Sequence, residues 1–146
     1  MEESNGSFAR GVEAFKANDF DKAIEELEAA TQASRDNYKA FCYLGAAYAA
    51  KQRYNAAIGA FKIAEQIAPG DARVKAGLAC AYVRNGDPFS ALPLFEQAEL
   101  AGSLDAKLIA DRGLAYDLVG DNAAAQAAYR AALARAPSEE VNRRLG

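Results

Sequence analysis

Histidine and tryptophan are absent from this 146-residue chain, methionine occurs once and cysteine twice. Without histidine the commonest general base and metal ligand is missing. Cys42 and Cys80 supply half of what a structural zinc requires and are too few for a disulfide framework, so they read as small packing residues. Glycine-rich phosphate loops are missing too: Gly86 and Gly120 stand alone in turns, without a following Gly-Lys-Ser/Thr. Acidic pairs such as Asp117 with Asp121 lie near turns, where helix capping accounts for them. No apolar run approaches the ~20 residues that cross a bilayer, and the opening MEESNGSFAR has no hydrophobic stretch of the kind that marks a secretory signal. An excess of basic charge is missing: 17 basic against 20 acidic side chains give −3 and a pI near 5.1, which argues against general affinity for nucleic acid. The expectation is a non-enzymatic chain with no catalytic residue, cofactor or metal site and no membrane insertion, cytoplasmic as written unless excised from a larger exported protein.

What the sequence has is repetition. The stretch Tyr38–Asp71 maps onto its flanks at an offset of 34 residues without a gap. Gly45 aligns with Gly11, Ala79 and Gly113; Tyr48 with Ala14, Tyr82 and Tyr116; Ala57 with Ala23, Ala91 and Ala125. Phe61 aligns with Leu27, Phe95 and Tyr129, Ala64 with Ala30, Ala98 and Ala132, and Pro69 with Arg35, Ser103 and Pro137. Within one unit, Phe41, Leu44, Ala47 and Tyr48 recur at three and four, as do Ile58, Phe61 and Ala64, the one-sided pattern of amphipathic helices. Each unit is therefore two helices. Gly45 and Ala57 are small where backbones approach, and Tyr48 and Phe61 fill the space between. One such hairpin has too little core to stand alone, so its apolar face must be covered by the next.

This period and this order of Gly, Tyr, Ala, Phe, Ala and Pro resemble the tetratricopeptide repeat family. The resemblance implies an all-α, right-handed superhelical solenoid of antiparallel helix hairpins. It forms a single domain over 1–146, with repeats at 4–37, 38–71, 72–105 and 106–139 and a C-terminal cap helix over 138–146. Local signals place the helices. Ser4 or Ser7 is expected to cap the first, which ends near Ala17, with Asp21 to about Ser34 second and Glu25, Glu26 and Glu28 facing solvent. Tyr38–Lys51 and Asn55–Ala68 follow, then Ala72–Arg84. Asp87 caps the next helix with Pro88 at its first position, and Pro93 predicts a mild kink rather than a break. Ala106–Val119 and Asn122–Ala136 complete the fourth unit, and Ser138 caps a last helix with Glu139 and Glu140 in its first turn. That helix is either a short polar cap or the start of a longer array that has been cut. Lys75, where the family often has an aromatic, is expected to cover apolar surface with its stem while its ammonium reaches solvent.

In the family the first helix of each hairpin lines a concave groove that holds peptides or helices. Carried over by position, the resemblance implies a trough of Phe8, Val12 and Phe15, then Cys42, Tyr43, Ala46 and Ala49, then Ala76, Gly77, Cys80 and Val83, then Ala110, Asp111, Leu114 and Leu118. Lys39, Arg73 and Lys107 share one repeat position and form a ladder, with Lys16 and Arg84 near the far ends of their helices. The expected partner is a protein or peptide segment, extended or helical, with apolar side chains in the trough and acidic groups on the ladder. A two-carboxylate clamp of the kind some members use is not expected, because its positions here are Phe8, Val12, Tyr43, Arg73 and Gly77, and only Arg73 keeps a suitable charge. The alternatives are a chaperone shielding an apolar helix of a secreted or assembling partner, and a self-associating or engineered array that pairs weakly through its terminal hairpins. GLAYDLVGDNAAAQAAYRAALARAP is similar to bacterial repeat proteins of pilus-assembly and secretion systems.

Overall fold

The computed structural model of the chain describes residues 2–102 and 104–145, with side chains from residue 6 onward. Helices follow one another through all of it: α1 (Glu2–Lys16), α2 (Phe20–Ala33), α3 (Tyr38–Ala50), α4 (Tyr54–Ile67), α5 (Ala72–Arg84), α6 (Pro88–Ala101), α7 (Ala106–Val119), α8 (Asn122–Arg135) and α9 (Glu139–Leu145). Short polar residues start most of them. The side chains of Asp19, Asn37, Asp71, Asp87, Asp105 and Asp121 each accept a hydrogen bond from a backbone N–H of the first turn, satisfying donors that have no partner within the helix. Ser138 does the same for α9 through the N–H of Val141 at 3.3 Å. Gly146, the end of the expected cap helix, lies outside the described residues.

Helices pair as α1/α2, α3/α4, α5/α6 and α7/α8, and each pair stacks on the next through α2/α3, α4/α5 and α6/α7. First helices also touch one another in succession, α1 with α3, α3 with α5 and α5 with α7, whereas the second helices have no comparable contact among the described residues. The stack therefore curves with α1, α3, α5 and α7 on its inner, concave side. Inside each hairpin a small residue receives a large one. A Cβ on Gly11 would stand 2.6 Å from Leu27, on Gly45 2.8 Å from Phe61, and on Gly113 2.7 Å from Tyr129, distances too short for any side chain there. Phe61 also presses on the next hairpin, where a Cβ on Gly77 would lie 2.5 Å from its ring. One ring thus joins two repeats.

Several expectations are corrected. Neither Ser4 nor Ser7 starts α1, because the helix begins at Glu2 and both lie within it. Ser7 is buried and accepts a hydrogen bond from Arg10 Nη2 at 3.2 Å. Of the glutamates on α2, Glu25 is exposed, but Glu26 pairs with Arg10 at 3.0 Å and Glu28 accepts from Tyr48 Oη at 2.5 Å, tying α2 to α3. Lys75 is half-buried, and its ammonium also has protein partners at the surface, donating to Gln97 Oε1 at 2.9 Å and standing 3.8 Å from Glu65. Asp117 is no cap either, since it accepts from Tyr129 Oη at 2.6 Å, while Asp121 caps α8. At Pro93 the expectation of no break holds: helix α6 runs on across it, with Ala91, Phe95 and Ala98 buried.

Candidate binding groove

Three hollows follow one another along the concave side. At the α1 end, Phe8, Val12, Lys16, Lys39 and Tyr43 line an open hollow of about 550 Å³. Its floor is aromatic: Phe8 and Phe15 both meet Tyr43 edge-on, with ring centroids 6.2 and 5.5 Å apart, and Phe20 backs Phe15 at 5.5 Å. The central hollow, about 510 Å³, joins Phe15, Ala46, Ala49, Gly77, Cys80 and Asp111 beneath Arg84 and Lys107. At the far end, Arg84, Lys107, Ala110, Asp111 and Leu114 meet α8 and α9 around about 370 Å³.

The other positions lie elsewhere. Ala76 and Val83 belong to the core between the third and fourth hairpins. A helix in the middle of a stack is covered on two sides, so α5 is apolar over more of its circumference than the groove alone requires. Cys42 is half-buried against Phe41, Ala64 and Val74, and its neighbour Arg73 is exposed; neither borders the three hollows. Leu118 is 51% exposed at the last turn of α7 and is likewise outside them.

Charge is distributed unevenly along this surface. Lys39, Arg73 and Lys107 each stand in the first turn of their helix, exposed, and none forms an ion pair among the described residues. By contrast, Arg84 and Asp111 form a pair in which the carboxylate is buried and the guanidinium is partly exposed. The Asp111 side chain is only 3% exposed, its Oδ1 accepts from Arg84 Nη2 at 2.8 Å, and no N–H or O–H donor reaches its Oδ2. Arg84 also lies 3.9 Å from Glu140 of α9. Burial works against its charge, but Asp111 and Glu140 more than offset this and hold its pKa above the usual value. The thiol of Cys80 rests beside the same carboxylate, and burial followed by that negative charge pushes its pKa well up. Burial likewise lifts Cys42 to about 11, with Asp71 adding to it and Arg73 opposing. Both thiols are free and resist ionisation, as packing residues do. No cluster of three or more metal-ligating side chains occurs among the described residues, and no helix there is long and apolar enough to cross a membrane.

The Arg84–Asp111 pair, the Tyr48–Glu28 and Tyr129–Asp117 bonds and the glycine seat at Gly77 were not expected from the sequence. Only the three-dimensional register brings these partners together.

A search of curated proteins finds no match. Among solved structures, TTC0263, a thermophilic TPR protein of Thermus thermophilus, superposes with a TM-score of 0.78 at 24% identity, over 97% of this chain and 79% of that one. MamA 41-end from Desulfovibrio magneticus RS-1 gives 0.84 at 17% identity, over 99% and 82%, and MamA AMB-1 gives 0.82 at 21%, over 99% and 86%. At these identities the likeness is one of fold, a right-handed solenoid of helix hairpins. The tetratricopeptide repeat profile matches residues 8–72 and 77–140, and with paired helices recurring through the same residues, the chain belongs to the tetratricopeptide repeat family of protein-interaction scaffolds.

Proposed function

We infer that the concave side holds a segment of a partner protein, extended or helical, whose apolar side chains enter the aromatic hollow and the central trough and whose acidic groups meet Lys39, Arg73 and Lys107. The observation that carries this reading is the ladder. Three cations occupy the same position on successive first helices, exposed and free of ion pairs among the described residues, and two of them, Lys39 and Lys107, border the apolar hollows. A surface of this kind offers desolvated apolar anchors together with charge that steers and orients the incoming segment. The hollow between Phe8, Val12 and Tyr43 suits one large apolar side chain, and Lys16 and Lys39 border it. At the α9 end Arg84 is already compensated by Asp111 and Glu140, which leaves Lys107 there, with Lys39 and Arg73, to meet the acidic groups of the partner.

The test is binding of the chain to an array of peptides that combine one or two aromatic or leucine residues with flanking Asp or Glu. The wild type is expected to select acidic-apolar sequences, and joint reversal of Lys39, Arg73 and Lys107 to Glu is expected to abolish that selection. Unchanged selection after the triple reversal overturns the role of the ladder, and retained binding of V12D overturns the role of the aromatic hollow.

A further inference from the structure

Among the described residues Asp111 is the one charged side chain that is buried. Its equivalents in the other repeats are Ala9, Tyr43 and Gly77, and those of its partner Arg84 are Lys16, Ala50 and Leu118. Hairpins thus stack elsewhere in the chain without such a pair, and the fold does not call for it here. Taking a carboxylate out of water is costly unless hydrogen bonds satisfy both of its oxygens. Asp111 has only half of this: Arg84 Nη2 reaches Oδ1 at 2.8 Å, whereas Oδ2 is out of contact with water and no N–H or O–H donor reaches it. The Cys80 thiol rests beside the carboxylate and is only a weak donor.

Arg84 and Asp111 border both the central hollow and the hollow at the α9 end, so the pair stands where the two meet. Its surroundings are largely apolar, with Ala46, Ala49 and Gly77 on one side and Ala110 and Leu114 on the other. In such surroundings a hydrogen bond is strong and an unmade one is expensive. Charge decides which group completes the site. A cation aimed at Oδ2 meets Arg84, Lys107 and Arg144, and an anion drawn by these cations meets Asp111 and Glu140. A neutral group avoids both conflicts. It must donate to Oδ2 and accept from Arg84, whose guanidinium has N–H groups beyond the one given to Asp111. A carboxamide offers N–H and C=O side by side for these two tasks, whereas a hydroxyl has one oxygen for both.

We propose that the Arg84–Asp111 pair reads the side-chain carboxamide of an Asn or Gln in the partner segment. This rests on the reading of the concave side as the seat of such a segment, and it adds a second specificity to the one set by the ladder. The carboxamide N–H donates to Asp111 Oδ2 and its C=O accepts from Arg84. Arg84, its side chain 34% exposed against 3% for Asp111, is the member that turns to meet it. A backbone amide does not serve, because Oδ2 lies below the surface and a segment resting on the trough reaches it only with a side chain. No charge enters the site, so it selects without drawing the partner's acidic groups away from Lys39, Arg73 and Lys107.

The test uses the full chain and a fluorescent peptide chosen from the acidic-apolar array, with each position made Gln, Asn, Glu, Met, Ser and Lys in turn. The wild type is expected to favour Gln or Asn at one position, remote from the apolar anchor, by about tenfold or more over Met and over Glu. D111A, which puts there the residue that the first repeat has, is expected to bind Gln no better than Met at that position. D111N is expected to take Glu about as well as Gln, since the opposing carboxylate is gone. Both are expected to keep the preference for acidic residues and its loss on reversal of Lys39, Arg73 and Lys107. Thermal unfolding establishes that each variant is folded, and either variant alone suffices. No position that favours a carboxamide, a preference there for Ser or Lys, a Gln-over-Met preference that survives D111A, or a Gln-over-Glu preference that survives D111N overturns this proposal and leaves the groove reading standing. An array with no binder overturns the groove reading and this proposal with it.

Discussion

Phe61 does at the residue scale what the whole chain repeats. Its ring fills the space left by Gly45 within its hairpin and by Gly77 in the next, so alanine at either glycine must push the ring or the helices apart. G45A and G77A are each expected to lower stability by about 1 to 3 kcal/mol in urea titration, and F61L is expected to relieve much of the penalty. Tyr48 tests a different force. Burial, then its hydrogen bond to Glu28, raises its pKa to about 12 from the ordinary 10.0. The folded state favours the neutral phenol, so this stability is complete below pH 10 and is lost as pH rises through 12. Y48F is expected to remove that pH dependence from the alkaline unfolding curve. Arg84 and Asp111 form a pair in which one member is far more buried than the other. Removing the arginine leaves a buried carboxylate uncompensated, so R84M is expected to cost about 2 kcal/mol or more, and the R84M/D111N double variant less than R84M alone.

At the scale of the element, what was legible in the sequence was local. The caps Asp87 and Ser138 were read from the sequence, and the structure adds Asp19, Asn37, Asp71, Asp105 and Asp121, whose side chains likewise act within three residues of their own position. The seat of Phe61 in Gly45 could be read because the same spacing recurs in the first and fourth units. The pairing of Arg84 with Asp111 spans 27 residues and depends on how one hairpin is rotated on the next, for which no pattern in a single helix gives a signal. The same rotation decides which side of α5 faces the groove, and so Ala76 and Val83 could not be told from groove residues by their spacing. Capping also yields a measurable expectation. Asp87 accepts from both the hydroxyl and the N–H of Ser90, at 2.6 and 3.1 Å, which holds its pKa below the ordinary 3.8. Its contribution is present above that value and fades as pH falls below it. D87A is expected to cost about 1 kcal/mol at neutral pH and progressively less in acid. Helix α9 rests mainly on α8, through Val141 buried against Tyr129. V141D is expected to speed amide exchange throughout α9 while leaving α3 and α4 protected.

At the scale of the whole molecule, contacts run between neighbouring hairpins and fade beyond them. Stability is then a chain of local terms rather than one shared core, and G45A is expected to shorten protection lifetimes in the first three hairpins far more than in α7 and α8. Such a stack carries load in series. Pulled by its two ends, it has no sheet or central core to resist all at once, and it yields one hairpin at a time. Each step releases about 34 residues, about 12 nm of extended chain, with the step at Phe61 the stiffest because that ring must leave two seats together.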